Sequence, residues 1–241
     1  MVDSAFHSGL CIFCKQDSVS VIFTSEEHII PKSLGNTELV LPKGMVCDKC
    51  NNEVLAGLDS ALVNFFPVKL QRAIGGIENR EGKMPKMSSA NNISIQKDHK
   101  VLCVQLPNKN HIEFDNDNKT IKFISKSNKM ANKGNRLIVR ALMKIIYETV
   151  AYQQGPDEAL KSQYDDIRKL IYDEDKTVNG YIILGLTKEH NYCFEINYQT
   201  PGFFFVRLHN VLFRFGAFDQ VVDRQKIIQI AANQNARAIF W

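Results

Sequence analysis

The chain has 241 residues, a formal net charge of +4, 44% apolar residues and 23% charged residues. These figures exclude collagen-like, coiled-coil and disordered classes, and the length suits one ordinary domain plus a small module. Apolar runs such as Phe203–Val206 fall far short of the ~18 residues a membrane span needs. Met1-Val2-Asp3-Ser4 has no basic region leading into an apolar one, so a cytoplasmic protein without a membrane partner is expected.

Charge and cysteine are unevenly spread. Residues 1–60 hold four Lys/Arg against eight Asp/Glu, whereas residues 61–110 hold eight against three and residues 111–150 eight against four. A basic middle suits a polyanionic partner; the competing reading is a solvated lysine-rich surface. Of the six cysteines, Cys11, Cys14, Cys47 and Cys50 fall in the first 50 residues as two Cys-x2-Cys pairs. In a chain without a visible secretory signal, this pattern points to a metal site before disulfides, with a redox pair as the alternative. Four thiolates complete a tetrahedral zinc shell and leave no open position, so such a zinc is structural. Cys103 and Cys193 lie in apolar, strand-like runs and are expected to be inert, buried thiols.

Between the pairs, Val19–Phe23 and Glu38–Leu41 have the pattern of short strands. Pro31 and Gly35 mark a loop between them. After Cys50, the spacing of Val54, Leu55, Leu58 and Leu62 predicts a helix. Asp48, near its start, suits a cap and the helix dipole. Three residues in this frame carry chemistry. His28 offers an imidazole, the usual base near neutral pH. Glu27 and Asn51 offer hard oxygen ligands suited to magnesium or manganese.

Cys11-x2-Cys14, Glu27-His28-Ile29-Ile30-Pro31, Gly35 and Cys47-x2-Cys50-Asn51 together resemble an HNH endonuclease, one of the ββα-metal (His-Me finger) nucleases, of the variety with four zinc-binding cysteines. The resemblance covers roughly residues 9–62. It implies His28 as general base, Asn51 at the helix start and Glu27 as ligands of a catalytic Mg²⁺ or Mn²⁺, and the four cysteines as ligands of a structural Zn²⁺. Two departures stand out. Glu27 occupies a place that is usually Asp. The stretch Leu41–Val46 lacks the Asn that often holds the catalytic loop, and Asn36 lies earlier.

Further along, Gly75-Gly76 and residues 78–92 read as loop. Ile93–Ile95, Val101–Leu106, His111–Phe114 and Thr120–Ile124 read as short strands, the last two joined by a turn at Asp115–Asn118. Lys32, Lys122, Lys126, Lys129, Lys133 and Arg136 are candidate phosphate contacts, with surface solubility as the competing reading. Asn135–Gln154 is predicted as a helix with Leu137, Ala141, Leu142, Ile145, Ile146 and Val150 on one face, ended by Gly155-Pro156. A second helix is predicted over Asp157–Tyr172. Strands are predicted over Tyr181–Leu186, Tyr192–Tyr198, Phe203–Leu208 and Val211–Phe215, and a further one at Ile227–Ala231. Phe203, Phe204, Phe205, Phe213 and Phe215 are assigned to the core and sheet faces. His99, His111, His190 and His209 have no motif around them and are assigned structural or surface places. The segments around Arg140-Ala141-Leu142-x-Lys144-Ile145 and Ile167-Arg168-x-Leu170-Ile171 resemble an extension found behind the zinc-finger part of some HNH proteins.

The expected architecture is α+β: a zinc-pinned ββα-metal module over residues 1–65, a basic strand and loop region over 66–134, and a module of helices plus antiparallel sheet over 135–241. The expected function is metal-dependent hydrolysis of DNA phosphodiester bonds, with a restriction or anti-phage role by analogy. The C-terminal module is free to recognise a target, a partner protein or a second copy. The alternative is a non-catalytic zinc module that binds nucleic acid or protein and makes no use of His28.

Overall fold

A computed structural model describes residues 9–78, 82–83, 85–88, 94–98, 101–105, 112–115, 120–123, 132–172, 181–186, 194–198, 203–216, 224–233 and 236–240. Strand β1 (Glu27–His28) pairs antiparallel with β2 (Val40–Leu41), Glu27 opposite Leu41 and His28 opposite Val40. A 3₁₀ turn, Lys32–Leu34, lies between them. It closes on Gly35 at φ 87°, a left-handed conformation that favours glycine. The strand expected at Val19–Phe23 does not form. Its start curls into turns as the amides of Ser20 and Val21 bond Asp17 O, and its Ile22 O accepts the Asp48 amide. The first arm of the ββα unit is therefore the Glu27-His28 segment itself. The expected helix is present as a π-helical stretch, Cys50–Leu55, running into α1 (Ala56–Asn64), with Leu55, Leu58 and Leu62 buried.

The next segment differs from expectation at its start. Helix α2 (Phe66–Gly75) follows α1 after a single residue, Phe65. Pro67 sits in its first turn, where its missing N–H costs nothing, and Gly76 ends it at φ 65°. Strands β3 (Met87–Ser88), β4 (Ser94–Asp98) and β5 (Val101–Gln105) form an antiparallel sheet. Strands β6 (Ile112–Asp115) and β7 (Thr120–Phe123) form a hairpin. The residues of their turn, 116–119, lie outside the described residues. Cys103 on β5 is exposed, contrary to the buried thiol expected; alternation along the strand turns it away from the small core that holds Met87 and Ile95.

Helix α3 (Asn132–Gln154) matches its predicted face: Ala141, Leu142, Ile145, Ile146 and Val150 are all buried. The helix expected over 157–172 is instead three pieces, α4 (Pro156–Ala159), a 3₁₀ turn (Ser162–Tyr164) and α5 (Asp165–Tyr172). Extended backbone at Lys161 makes one break, and it has a use. Arg168 reaches back and donates to Ala159 O and Lys161 O, at 2.5 and 3.0 Å, and to Tyr147 Oη at 2.8 Å. Strands β8 (Tyr181–Leu186), β9 (Phe194–Asn197), β10 (Phe203–Leu208), β11 (Val211–Gly216) and β12 (Arg237–Phe240) form one antiparallel sheet in the order β12-β8-β11-β10-β9. Residues 227–231 belong to helix α6 (Arg224–Asn233) and not to a strand. A short apolar run fits either state, and here Ile227 and Ala231, four apart, bury one helical face with Ile183.

The fold is thus α+β, and one apolar core runs through both ends of it. Cys11, Ile12, Ile29, Ile30, Leu58 and Leu62 share a continuous cluster with Leu142, Ile145, Tyr147, Val206 and Phe213. Tyr147 Oη lies 2.7 Å from Ile12 O and 2.9 Å from Ala159 O, so a helix from the second half is tied to the first cysteine pair. Among the described residues, no helix is long and apolar enough to cross a membrane. Arg168→Met strips donors from two carbonyls and the Tyr147 hydroxyl in this core. It should lower unfolding free energy by about 2–3 kcal/mol, read as a shifted urea midpoint, whereas Lys169→Met, at an exposed neighbour, should shift it little.

Candidate functional site

The four cysteines meet at one point. Their sulfurs all lie within 4.8 Å of one another, with Cys11–Cys50 at 3.7 Å, Cys14–Cys47 at 3.8 Å and Cys47–Cys50 at 3.3 Å. Four sulfurs on a tetrahedral zinc at ~2.3 Å stand ~3.8 Å apart, so the set fits that ion. The surroundings fit as well. The backbone amides of Cys47 and Cys50 point at Cys11 Sγ and Cys47 Sγ, and the Tyr172 hydroxyl donates to Cys50 Sγ. Such contacts orient ligands and disperse thiolate charge. Crowding splits the thiols: hydrogen bonding from Cys50 lowers the pKa of Cys11, while burial raises that of Cys14. Redox chemistry between two separate pairs does not require all four sulfurs in one cluster, and a metal does.

Strands of two residues cannot hold a loop by themselves, and two polar side chains do it instead. Asn36 is buried, and its amide makes four bonds: Nδ2 donates to Ile30 O and Leu39 O, and Oδ1 accepts from the amides of Glu38 and Leu39. It is the loop-holding asparagine that Leu41–Val46 lacks. Its position alone hid it from the sequence; an Asn directly after a Pro-bounded loop and its Gly was the available signal. Asp48 does not cap its own helix. Its carboxylate accepts from the amides and hydroxyls of Thr24 and Ser25, at 2.5 to 2.8 Å, and these bonds hold its pKa well below the usual carboxylate range. The segment entering β1 is thereby tied to the second cysteine pair.

The three residues singled out for chemistry divide into two groups. Asn51 stands at the helix start, and its Nδ2 donates to Ser25 Oγ at 3.2 Å and Glu26 O at 3.1 Å. Both bonds leave through Nδ2, so Oδ1 is the atom left to accept or to ligate. His28, half-buried on β1, follows the segment that Asn51 grips. Glu27 behaves otherwise. It is 4% exposed, and its carboxylate lies 2.5 Å from Lys144 Nζ on α3. Successive strand residues face opposite sides, so Glu27 and His28 diverge. Burial pushes the pKa of Glu27 up, against the pull of Lys144. The Asn51 amide oxygen therefore fits a hard divalent cation, whereas Glu27, already bound to an ammonium, does not fit the ligand role expected for it.

The remaining candidates are described only in part. Lys32 is exposed on the turn after Pro31, and Arg136 is half-buried on α3. Lys122 lies on β7 and Lys133 near the start of α3, with side chains outside the description; Lys126 and Lys129 lie outside the described residues, as do His99, His111, His190 and Cys193. His209 is buried at the β10–β11 turn with its Nε2 2.8 Å from Leu34 O, which ties the C-terminal sheet to the loop after His28; burial lowers its pKa.

Residues 11–67 match the family model described as HNH endonuclease. The similarity is confined to that cysteine-bearing part of the chain. No curated protein and no solved structure matches the chain.

Two outcomes follow from this geometry. The purified protein should carry one zinc per chain by mass spectrometry of the metal, and Cys47→Ser or a strong chelator should remove it together with the native fold of residues 9–64. The Asp48 pKa is depressed on folding. Its stabilisation is present above the unfolded value of about 3.9 and is lost as pH falls through the folded value. Urea stability of Asp48→Asn should therefore fall less than that of the wild type between pH 5 and 2.

Proposed function

We propose that the chain is a metal-dependent endonuclease that hydrolyses phosphodiester bonds in DNA, with His28 as the general base and Asn51 as a ligand of the catalytic metal. The family match of residues 11–67 supports the nuclease class. The observation that carries the residue assignment is the Asn51 grip on Ser25 Oγ and Glu26 O, which sets a free amide oxygen beside the entry to the strand bearing His28. A purely structural zinc ribbon has no need of that arrangement.

In this reading His28 takes a proton from water as the water oxygen attacks phosphorus, and the bond from phosphorus to the 3′ oxygen breaks. The leaving 3′ oxygen takes a proton from solvent, and the products are a 5′-phosphate and a 3′-hydroxyl. A bound Mg²⁺ or Mn²⁺ supplies charge neutralisation at the phosphate and at the leaving oxygen. Asn51 presents its oxygen to that ion, while Asn36 and Asp48 keep the loop and the strand entry in place. The zinc does no chemistry and keeps the two catalytic residues in register. Lys32, Lys122, Lys126, Lys129, Lys133 and Arg136 supply phosphate contacts, in line with the excess positive charge of residues 61–150. A restriction or anti-phage role, in the cytoplasm, suits a compact nuclease with an appended α+β module.

The test is plasmid cleavage in Mg²⁺ or Mn²⁺ by the wild type beside His28→Ala. Loss of cleavage by at least about 100-fold, with zinc content and melting temperature retained, is expected. Equal cleavage by both proteins would overturn the assignment of His28. No cleavage of DNA by the wild type, with tight binding of DNA or protein instead, would favour the non-catalytic module.

A further inference from the structure

Lys144 on α3 is fully buried, and its charge is met by groups of the N-terminal, cysteine-bearing segment. Its ammonium has three N–H donors, and three acceptors lie nearest: Glu27 Oε1 at 2.5 Å, Asp59 Oδ1 at 2.9 Å and the carbonyl oxygen of His28 at 3.1 Å. The Glu148 carboxyl, also fully buried, stands further off at 3.5 Å. Burial pushes Glu148 well up, towards the neutral acid, while the surrounding carboxylates overcome the effect of burial on Lys144 and raise it, so the ammonium keeps its charge. The three nearest acceptors come from β1 and α1, and the donor from α3, 116 residues after His28. An ammonium held by two hydrogen bonds and an ion pair in a buried place has one position. Every one of its bonds is directional and costly to leave unmade.

We infer that Lys144 is a positioning residue of the nuclease site, holding the backbone of His28 through its carbonyl and keeping the Glu27 carboxylate away from the catalytic metal. This rests on the proposed nuclease reading. On this account Glu27 and Asp59 serve as anchors for Lys144. The helix that follows the basic region is then part of the catalytic unit and not an independent appendage. Shifting His28 by a fraction of an ångström or more disturbs base and water without altering how DNA is gripped, so the effect falls on kcat and not on KM.

The experiment uses the full zinc-loaded chain. Lys144→Met and Glu27→Gln are compared with the wild type by cleavage kinetics, by the NMR signals of the His28 imidazole, assigned with His28→Asn, and by Mn²⁺ affinity from electron paramagnetic resonance. Lys144→Met should lower kcat on the order of 100-fold, leave KM nearly unchanged and move the His28 signals. Glu27→Gln should bind Mn²⁺ with wild-type affinity. If Lys144→Met does not fold, the neutral cluster Lys144→Met/Glu27→Gln/Asp59→Asn/Glu148→Gln, which leaves no unpaired buried charge, should show the same kcat loss. Wild-type kcat and unmoved His28 signals in a folded Lys144 variant would overturn the inference, as would weakened Mn²⁺ binding by Glu27→Gln. Cleavage unaffected by His28→Ala would sink the nuclease reading by itself. In that case the His28 signals in Lys144→Met still decide whether Lys144 positions that residue.

Discussion

A buried ammonium fixes the middle of this chain against its N-terminal segment. Lys144 on α3 donates to Asp59 and to the carbonyl of His28 and pairs with the Glu27 carboxylate, so the strand that carries the proposed base is fixed by a helix far away in sequence. Removing one partner from such a set strands a charge in the core, which costs several kcal/mol, whereas the intact set holds one geometry. Around it the apolar core is continuous from Cys11 through Tyr147 to Phe213. The cysteine-bearing segment and the helices after residue 131 therefore share their stability.

The need for such anchoring follows from the size of the local elements. Strands β1 and β2 have two residues each and contribute few ladder bonds of their own. Asn36 closes the loop between them with four bonds, Asp48 fastens the segment before β1 with four more, and the sulfur cluster joins Cys11 and Cys14 to the helix start. Tyr172 and Tyr147 then tie that cluster and its first pair to α5 and α3. Each tie pairs a polar group with a particular partner, so the arrangement is specific as well as stable.

What was legible in the sequence is what is local. Two Cys-x2-Cys pairs announce a metal because the spacing itself presents two sulfurs to one ion. The helices after Cys50 and after Asn132 were legible because their apolar faces repeat over several turns. The short elements were not: Phe66–Gly75 begins with a proline that reads as a break, and Ile227–Ala231 is too short to separate helix from strand. The ligand role expected for Glu27 came from its likeness to an acidic position beside the His of the resembled family. Strand alternation sends the two side chains apart, and only the fold reveals the lysine waiting on the other side. Asn36 was set aside for its position, since chain distance from the second cysteine pair says little about where a loop folds back.

The most direct test is the anomalous diffraction of crystals of the full chain soaked in Mn²⁺, recorded at the zinc and manganese edges. Zinc is expected among the four sulfurs and manganese at Asn51 Oδ1 beside His28, with Glu27 still paired to Lys144. Manganese ligated by the Glu27 carboxylate, with Lys144 displaced from it, would contradict the account.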